Sequence, residues 1–150
     1  MESGLREKLN AELKESLLKR NAEKTGVLRF LLSLLQNREI EKRGTGQAPV
    51  LTEEEIIEIF QREVKKRKEA ISLFEKGGRP ELAEKETKEL VFINAYLPPE
   101  MSREEIVILV NRFKDKGLND FNSLMKEVTK TTRGRADGKM VSEIVREILK

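Results

Sequence analysis

The 150-residue sequence contains no cysteine, no histidine and no tryptophan, and it has only one tyrosine and six phenylalanines. Without cysteine and histidine the chain can form no disulfide bond, and it lacks the ligands of the common zinc sites. Without histidine it also cannot build a Ser-His-Asp or Cys-His catalytic arrangement. With so few aromatic side chains, it offers no platform on which single-stranded bases could stack.

Long hydrophobic runs and catalytic motifs are also missing. The most apolar stretch, residues 27–35, is short and contains Arg29, so we expect a core helix and no membrane span. The first residues carry no basic region followed by an apolar run, so we expect no secretory signal and a cytoplasmic protein. Gly134-x-x-x-Gly138-Lys139 has the wrong glycine spacing for a P-loop and no Ser or Thr after the lysine. The residues themselves indicate no catalytic site, no metal and no cofactor.

What the sequence does contain is a strong helical pattern. Charged residues make up 38% of the chain, and Glu, Lys, Leu and Arg dominate where β-branched and aromatic runs are scarce, so the predicted fold class is all-α. Thr52 with Glu55 and Ser102 with Glu105 have the spacing of capping boxes, which open helices. The predicted helices cover about residues 3–21, 25–42, 52–76, 80–97, 102–116 and 120–133, and a seventh begins at Asp137.

Apolar side chains on the first two helices are predicted to face a common core. The first helix repeats leucine every four residues, at Leu5, Leu9, Leu13 and Leu17. The second carries a wide apolar face that runs from Val27 to Ile40. So broad a face is typical of a helix at the centre of a bundle.

The dipeptide Pro98-Pro99 is the predicted domain boundary, because proline cannot continue a helix. Residues 1–97 are predicted to form an N-terminal four-helix domain, and residues 98–150 a small C-terminal three-helix bundle. The charge balance also differs between the two ends of the chain. Residues 1–100 hold 19 Lys and Arg against 19 Asp and Glu, whereas residues 101–150 hold 11 against 8. The last third of the chain is therefore suited to an anionic partner, nucleic acid first.

Five cations gather around the predicted turn between the sixth and seventh helices. We call the following seven residues the basic turn: Lys126, Lys130, Arg133, Gly134, Arg135, Gly138 and Lys139. Helical spacing places Lys126, Lys130 and Arg133 on one face. Asp137 as N-cap would leave first-turn N–H groups open to an anion. The glycines are predicted to shape a tight turn. Such a site would hold phosphates and would not read base sequence.

A second basic stretch, Arg62 to Glu69, lies within the third predicted helix. Glu63 with Arg67 and Lys65 with Glu69 have the spacing of ion pairs on a helix surface. We interpret this stretch as a solvated face, with an auxiliary RNA surface as the alternative.

Several motifs, taken in order and spacing from about Leu5 to Leu149, resemble the YqeY-like proteins. They are Leu28-Arg29, Gly78-Arg79…Leu82…Glu86, Leu90…Tyr96-Leu97-Pro98, Ser102-x-x-Glu105-Ile106 and Gly134-Arg135-Ala136-Asp137-Gly138-Lys139-x-Val141. That family shares its C-terminal part with the tail domain of the B subunit of aspartyl/glutamyl-tRNA amidotransferase. The resemblance implies an all-helical fold, and a tail that engages tRNA while another part of the enzyme performs the chemistry.

Three functions are compatible with these observations. The first is a non-catalytic accessory protein that binds tRNA or other folded RNA through the basic turn. The second is a protein–protein adaptor that docks on an amidotransferase or another tRNA-handling enzyme. The third, which the family association alone suggests, is a component of glutamine-dependent carbon–nitrogen ligase activity.

Overall fold

The computed structural model describes residues 4–150, and this part of the chain contains seven α-helices and no strand. The helices are α1 Gly4–Leu18, α2 Ala22–Gly44, α3 Glu53–Lys76, α4 Pro80–Asn94, α5 Arg103–Asp115, α6 Phe121–Thr132 and α7 Gly138–Leu149. The all-α prediction is confirmed, and each predicted helix is present. The bounds differ by up to three residues at either end; α4, for example, ends at Asn94 instead of Leu97.

Both predicted capping boxes are present. At α3 the Thr52 hydroxyl accepts a hydrogen bond from the Glu55 N–H at 3.2 Å, and the Glu55 carboxylate accepts one from the Thr52 N–H at 3.3 Å. Ser102 and Glu105 do the same at α5. Glu55 also accepts a hydrogen bond from Lys42 Nζ at 2.9 Å, which is the main reason why the pKa of Glu55 lies below its usual value.

By compactness the chain divides into two units. The N-terminal unit ends at Leu97 and contains α1 to α4, and the C-terminal unit, Pro98–Lys150, contains α5 to α7. That these units are domains able to fold separately stays a prediction.

The core of the N-terminal unit comes from all four helices. Its buried side chains are Leu5, Leu9, Val27, Leu28, Leu31, Leu35, Leu51, Ile56, Phe60, Val64, Leu90 and Ile93. The predictions for two core residues were wrong, because Leu17 is 47% exposed and Ile40 is 57% exposed. Both positions turn away from the buried side of their helices, since Leu17 lies about 120° around α1 from Leu5, and Ile40 about 140° around α2 from Leu35.

The C-terminal unit has its own small core. The buried side chains are Ile106, Leu109, Val110, Leu124, Val128, Val141, Ile144 and Val145. They come from one face of each of the three helices, which pack on one another in every pairing. This packing fixes α6 and α7 side by side and thereby positions the basic turn between them.

Candidate nucleic-acid interface

The turn between α6 and α7 is held by a compact set of backbone hydrogen bonds. The Thr132 carbonyl accepts from the N–H groups of Arg135 at 2.8 Å and Ala136 at 2.9 Å. Gly134 has a φ of +82°, a left-handed conformation that glycine adopts without the steric cost of a side chain. The chain therefore reverses within a few residues and brings the end of α6 close to the start of α7.

The lysines of α6 are exposed. Lys126 forms no ion pair within residues 4–150, whereas Lys130 Nζ contacts Glu127 at 3.1 Å. Because Lys130 is 63% exposed in this pair, the contact contributes little and can be exchanged for a phosphate. Arg133 is also exposed, but it follows the last residue of α6 as its C-cap.

Arg135 has a structural role that the sequence did not indicate. Its side-chain Nε donates a hydrogen bond to the Pro99 carbonyl at 3.1 Å, and its backbone carbonyl accepts one from the Met101 N–H at 2.8 Å. The residue is half-buried. Arg135 thus fastens the first residues of the C-terminal unit to the basic turn, and only part of its guanidinium remains for a phosphate.

The two glycines of the basic turn are not equivalent. Gly134 is required by its positive φ. Gly138 is the first residue of α7, and a Cβ added to it would meet nothing within 4 Å. The prediction that Gly138 is needed to shape the turn is therefore wrong on steric grounds. The open space beside it leaves room for a ligand to approach the backbone.

The start of α7 has the donors that an anion site needs. Asp137 is the N-cap, and its carboxylate accepts a hydrogen bond from the Lys139 N–H at 3.2 Å. The Gly138 and Met140 N–H groups have no hydrogen bond to residues 4–150. The Lys139 side chain is exposed and forms no ion pair in the same part of the chain.

The second basic stretch is only in part the solvated face that the sequence predicted, because five of its residues are exposed but the predicted pair of Glu63 with Arg67 forms as a buried one. The exposed residues are Arg62, Lys65, Lys66, Lys68 and Glu69. Arg67 and Glu63 are buried, and Arg67 Nε donates to Glu63 at 2.9 Å. Arg67 Nη1 also donates to Glu86 at 3.1 Å and to Glu89, both on α4. We call Arg67, Glu63, Glu86 and Glu89 the Arg67 cluster. Within the described residues, the predicted pair of Lys65 with Glu69 does not form.

Burial lowers the pKa of the Arg67 guanidinium, but the hydrogen bonds and negative charges of its carboxylate partners outweigh this effect and raise the pKa above its ordinary value. The guanidinium also lies over the Phe30 ring, 5.2 Å from its centroid. Arg67 is consequently held as a permanent cation in a fixed position. A residue so placed contributes to the fold of the N-terminal unit and not to a surface for RNA.

Residues 4–150 contain no group of three or more acidic side chains arranged to hold a metal ion. In the same range, no helix is long and apolar enough to cross a membrane.

An all-helical chain that carries these motifs, with a basic turn in a three-helix C-terminal unit, has the features expected of one protein family. The chain belongs to the YqeY-like proteins, whose family model matches residues 6–149.

Several fungal proteins are similar to the chain. The uncharacterized protein C22F3.15 of Schizosaccharomyces pombe is 31% identical over 94 residues, which are 63% of this chain and 72% of that protein. The mitochondrial protein "altered inheritance of mitochondria protein 41" is 33% identical over 75% of this chain in Vanderwaltozyma polyspora, and 32% identical over 70% in Eremothecium gossypii. The matches span 57% and 56% of these two mitochondrial proteins, so the chain corresponds to little more than half of each.

Proposed function

We propose that the chain is an RNA-binding accessory protein, without catalytic activity of its own, that contacts the phosphate backbone of folded RNA through the basic turn. Transfer RNA is the first candidate, because the family resembles the tail of a tRNA-dependent amidotransferase. The contacts are assigned to Lys126, Lys130, Arg133, Arg135 and Lys139, with Gly134 and Gly138 on the backbone between them.

The observation that carries this proposal is that exposed cations and backbone N–H groups without hydrogen bonds are present at the same turn. Lys126 and Lys139 form no ion pair within residues 4–150, and Gly138 and Met140 offer free N–H groups at the start of α7. Backbone N–H groups at a helix N-terminus favour anions such as phosphate. Exposed lysines add attraction that depends on salt but not on base sequence.

The scarcity of aromatic side chains limits the kinds of RNA that the chain is suited to bind. The only tyrosine, Tyr96, is half-buried in the N-terminal unit, where its hydroxyl donates to Glu12. The basic turn itself contains no aromatic side chain. Recognition of a folded backbone by shape and charge therefore fits better than stacking of unpaired bases.

The proposal can be tested by fluorescence anisotropy with labelled total tRNA at several salt concentrations. Contacts with four or five phosphates predict a log–log salt slope of roughly −3 to −4.5. The variant Lys126→Gln/Lys130→Gln/Lys139→Gln removes three of these phosphate contacts. It keeps Arg135, so the hydrogen bond from Arg135 to the Pro99 carbonyl remains intact. We expect weaker binding, with the slope reduced to about −1 to −2.

A matched control removes the same amount of charge elsewhere. Arg62, Lys65 and Lys66 are exposed on α3, and their joint replacement by glutamine should leave both the affinity and the slope close to those of the native chain. Equal losses in both triple variants, or no binding by the native chain, would contradict the proposal. A protein partner recovered equally well after nuclease treatment would then favour the adaptor function, and glutamine-dependent amide transfer by the purified chain would favour the ligase.

A further inference from the structure

The N-terminal unit contains a half-open cavity of about 480 Å³. It lies between one face of α2 and one face of α4, and Arg67 of α3 is among the side chains that line it. This volume is within the range of sites that hold small molecules. None of the residues of the basic turn lines the cavity. The cavity is therefore a different site from the proposed RNA contact.

Most of the cavity wall is apolar. Phe30 of α2 and Phe92 of α4 lie on its two sides, with buried Val27 beside them. Gly26 widens the cavity, because the space where its Cβ would stand is empty to a distance of 4 Å. An apolar molecule could therefore reach the backbone of α2 and pack between the two rings.

Arg67 brings a polar donor to this apolar cavity. The residue is only 9% exposed, and its Nε and Nη1 atoms are occupied by the three carboxylates of the Arg67 cluster. Its third nitrogen, Nη2, has no hydrogen bond to any residue from 4 to 150. A guanidinium that is fixed by three partners, and that retains an unused donor beside a cavity, is prepared to bind an oxygen atom of a ligand.

The rim of the cavity also carries two lysines. Lys85 and Lys88 line the cavity and are exposed, and only Lys88 has an ion pair in the described part of the chain, with Glu84 at 3.5 Å. Two carboxylates also line the cavity, but Glu89 is already bonded to Arg67. Arg67 is already paired with the carboxylates of the Arg67 cluster and Lys88 with Glu84. Lys85 is therefore the lining cation that remains for an anionic oxygen, beside the unused Nη2 donor of Arg67.

We propose that this cavity binds an apolar anion, which is a small molecule with an acyl or aromatic body and a carboxylate, sulfonate or phosphate group. The body packs on Phe30 and Phe92, and the anionic oxygens accept hydrogen bonds from Arg67 Nη2 and from Lys85. The carboxylates of the Arg67 cluster hold the guanidinium in place and do not contact the ligand.

The dye 8-anilino-1-naphthalenesulfonate is a suitable probe, because it combines an aromatic body with one sulfonate. Titration of the full chain should give one saturable fluorescence change per chain. Gly26→Leu fills the cavity and should weaken binding at least about tenfold, while leucine keeps the helix at least as stable as glycine does. Lys85→Gln/Lys88→Gln should weaken binding by about threefold or more.

Matched controls are available for both changes. Gly44 ends the same helix, and it also has empty space around its missing Cβ but lies outside the cavity. Gly44→Leu should leave dye binding unchanged, and so should Lys65→Gln/Lys66→Gln. If Gly26→Leu and Gly44→Leu bind the dye as well as the native chain does, or if the native chain binds none, the proposal is overturned.

Competition then identifies the body of the ligand. Displacement of the dye by dodecanoate indicates an acyl chain, and displacement by 1-naphthoate alone indicates a ring system. If neither carboxylate displaces the dye, the proposal is also overturned, since the cavity requires only an apolar body with anionic oxygens.

Discussion

Replacement of Arg67 by methionine should destabilise the N-terminal unit far more than removal of an exposed cation would. Methionine has similar length and no charge, so the volume is largely kept while the only cation of the Arg67 cluster is lost. Glu63 would then face Glu86 and Glu89 without a counter-charge. The side chain of Glu63 is 9% exposed, and those of Glu86 and Glu89 are 26% and 27% exposed.

The size of the effect follows from this burial. Removal of one partner from a buried ion pair costs about 3 to 5 kcal/mol, because a charge is left without compensation in a medium of low polarity. The stacking of Arg67 on Phe30 adds about 1 kcal/mol. Glu86 and Glu89 recover part of the loss, since they can turn toward water. We therefore expect a decrease of about 3 to 4 kcal/mol in the free energy of unfolding.

Urea denaturation is the appropriate assay, because urea does not screen charge. The chain has one tyrosine and no tryptophan, and Tyr96 lies in the N-terminal unit. Tyrosine fluorescence therefore follows the unfolding of that unit, while far-ultraviolet circular dichroism follows both units. Arg79→Met is the matched control, because Arg79 forms a pair of similar length with Glu81, at 2.8 Å, but with side chains 60% and 61% exposed.

The control should change the stability by less than about 0.5 kcal/mol. The physical account of the Arg67 cluster would be refuted by a similar small loss in Arg67→Met. It would be refuted equally if Arg67→Met shifted only the circular dichroism signal of the C-terminal unit and left the tyrosine transition in place.

Three further predictions concern single residues. Gly138→Ala should leave the thermal unfolding temperature unchanged or raise it slightly. The same variant should bind tRNA more weakly in the anisotropy assay. If its affinity for tRNA equals that of the native chain, no ligand approaches the backbone at this residue. Glu55→Gln should lower the free energy of unfolding, measured by urea denaturation at neutral pH, by about 1 kcal/mol. Because Lys42 lowers the pKa of Glu55, the difference in this free energy between the variant and the native chain should shrink as the pH falls below about 4. The pKa of Tyr96 is raised by burial and by its contact with Glu12, so tyrosinate absorbance should appear only well above pH 10, and stability should fall as the pH rises past about 10.

The helix boundaries were predictable because they depend on neighbouring residues. Thr52, Ser102 and Asp137 are caps whose partners lie two or three positions ahead, and Pro80 begins α4 where a missing N–H does no harm. These signals are local, and they act in the same way whatever the rest of the chain does.

Leu17 shows how a simple repeat misleads. A spacing of four residues advances about 400° around a helix, so each leucine is turned about 40° from the one before it. After three such steps Leu17 no longer faces the core, and Ser16 is buried in its place. The Ser16 hydroxyl is satisfied by Thr25 at 2.9 Å, a contact across two helices that no periodicity indicates.

Arg67 could have been found from the sequence. It lies seven residues after Phe60 and three after Val64, on the same buried stripe of α3. Its charge led to the prediction of a solvated face. Position on the stripe was the better guide, but the two partners on α4 depend on how α3 and α4 align after the Gly77-Gly78 turn, which the sequence does not specify.

The basic turn was predicted as a set of residues, with the turn-shaping role of Gly134, but the structural role of Arg135 and the difference between the two glycines were not predicted. The contact of Arg135 with Pro99 joins residues 36 positions apart, and it depends on the packing of three helices. The different requirements of Gly134 and Gly138 depend on backbone angles that only the folded turn displays.

The fastening of Arg135 also has a mechanical consequence. Tension that reaches the C-terminal unit along the chain passes Pro99 and Met101 before it reaches α5, and both residues are bonded to Arg135. The hydrogen bonds to Arg135 therefore transmit the load to the turn between α6 and α7 before it reaches the first turn of α5. A pull along the residues that precede α5 is thus transmitted to the basic turn.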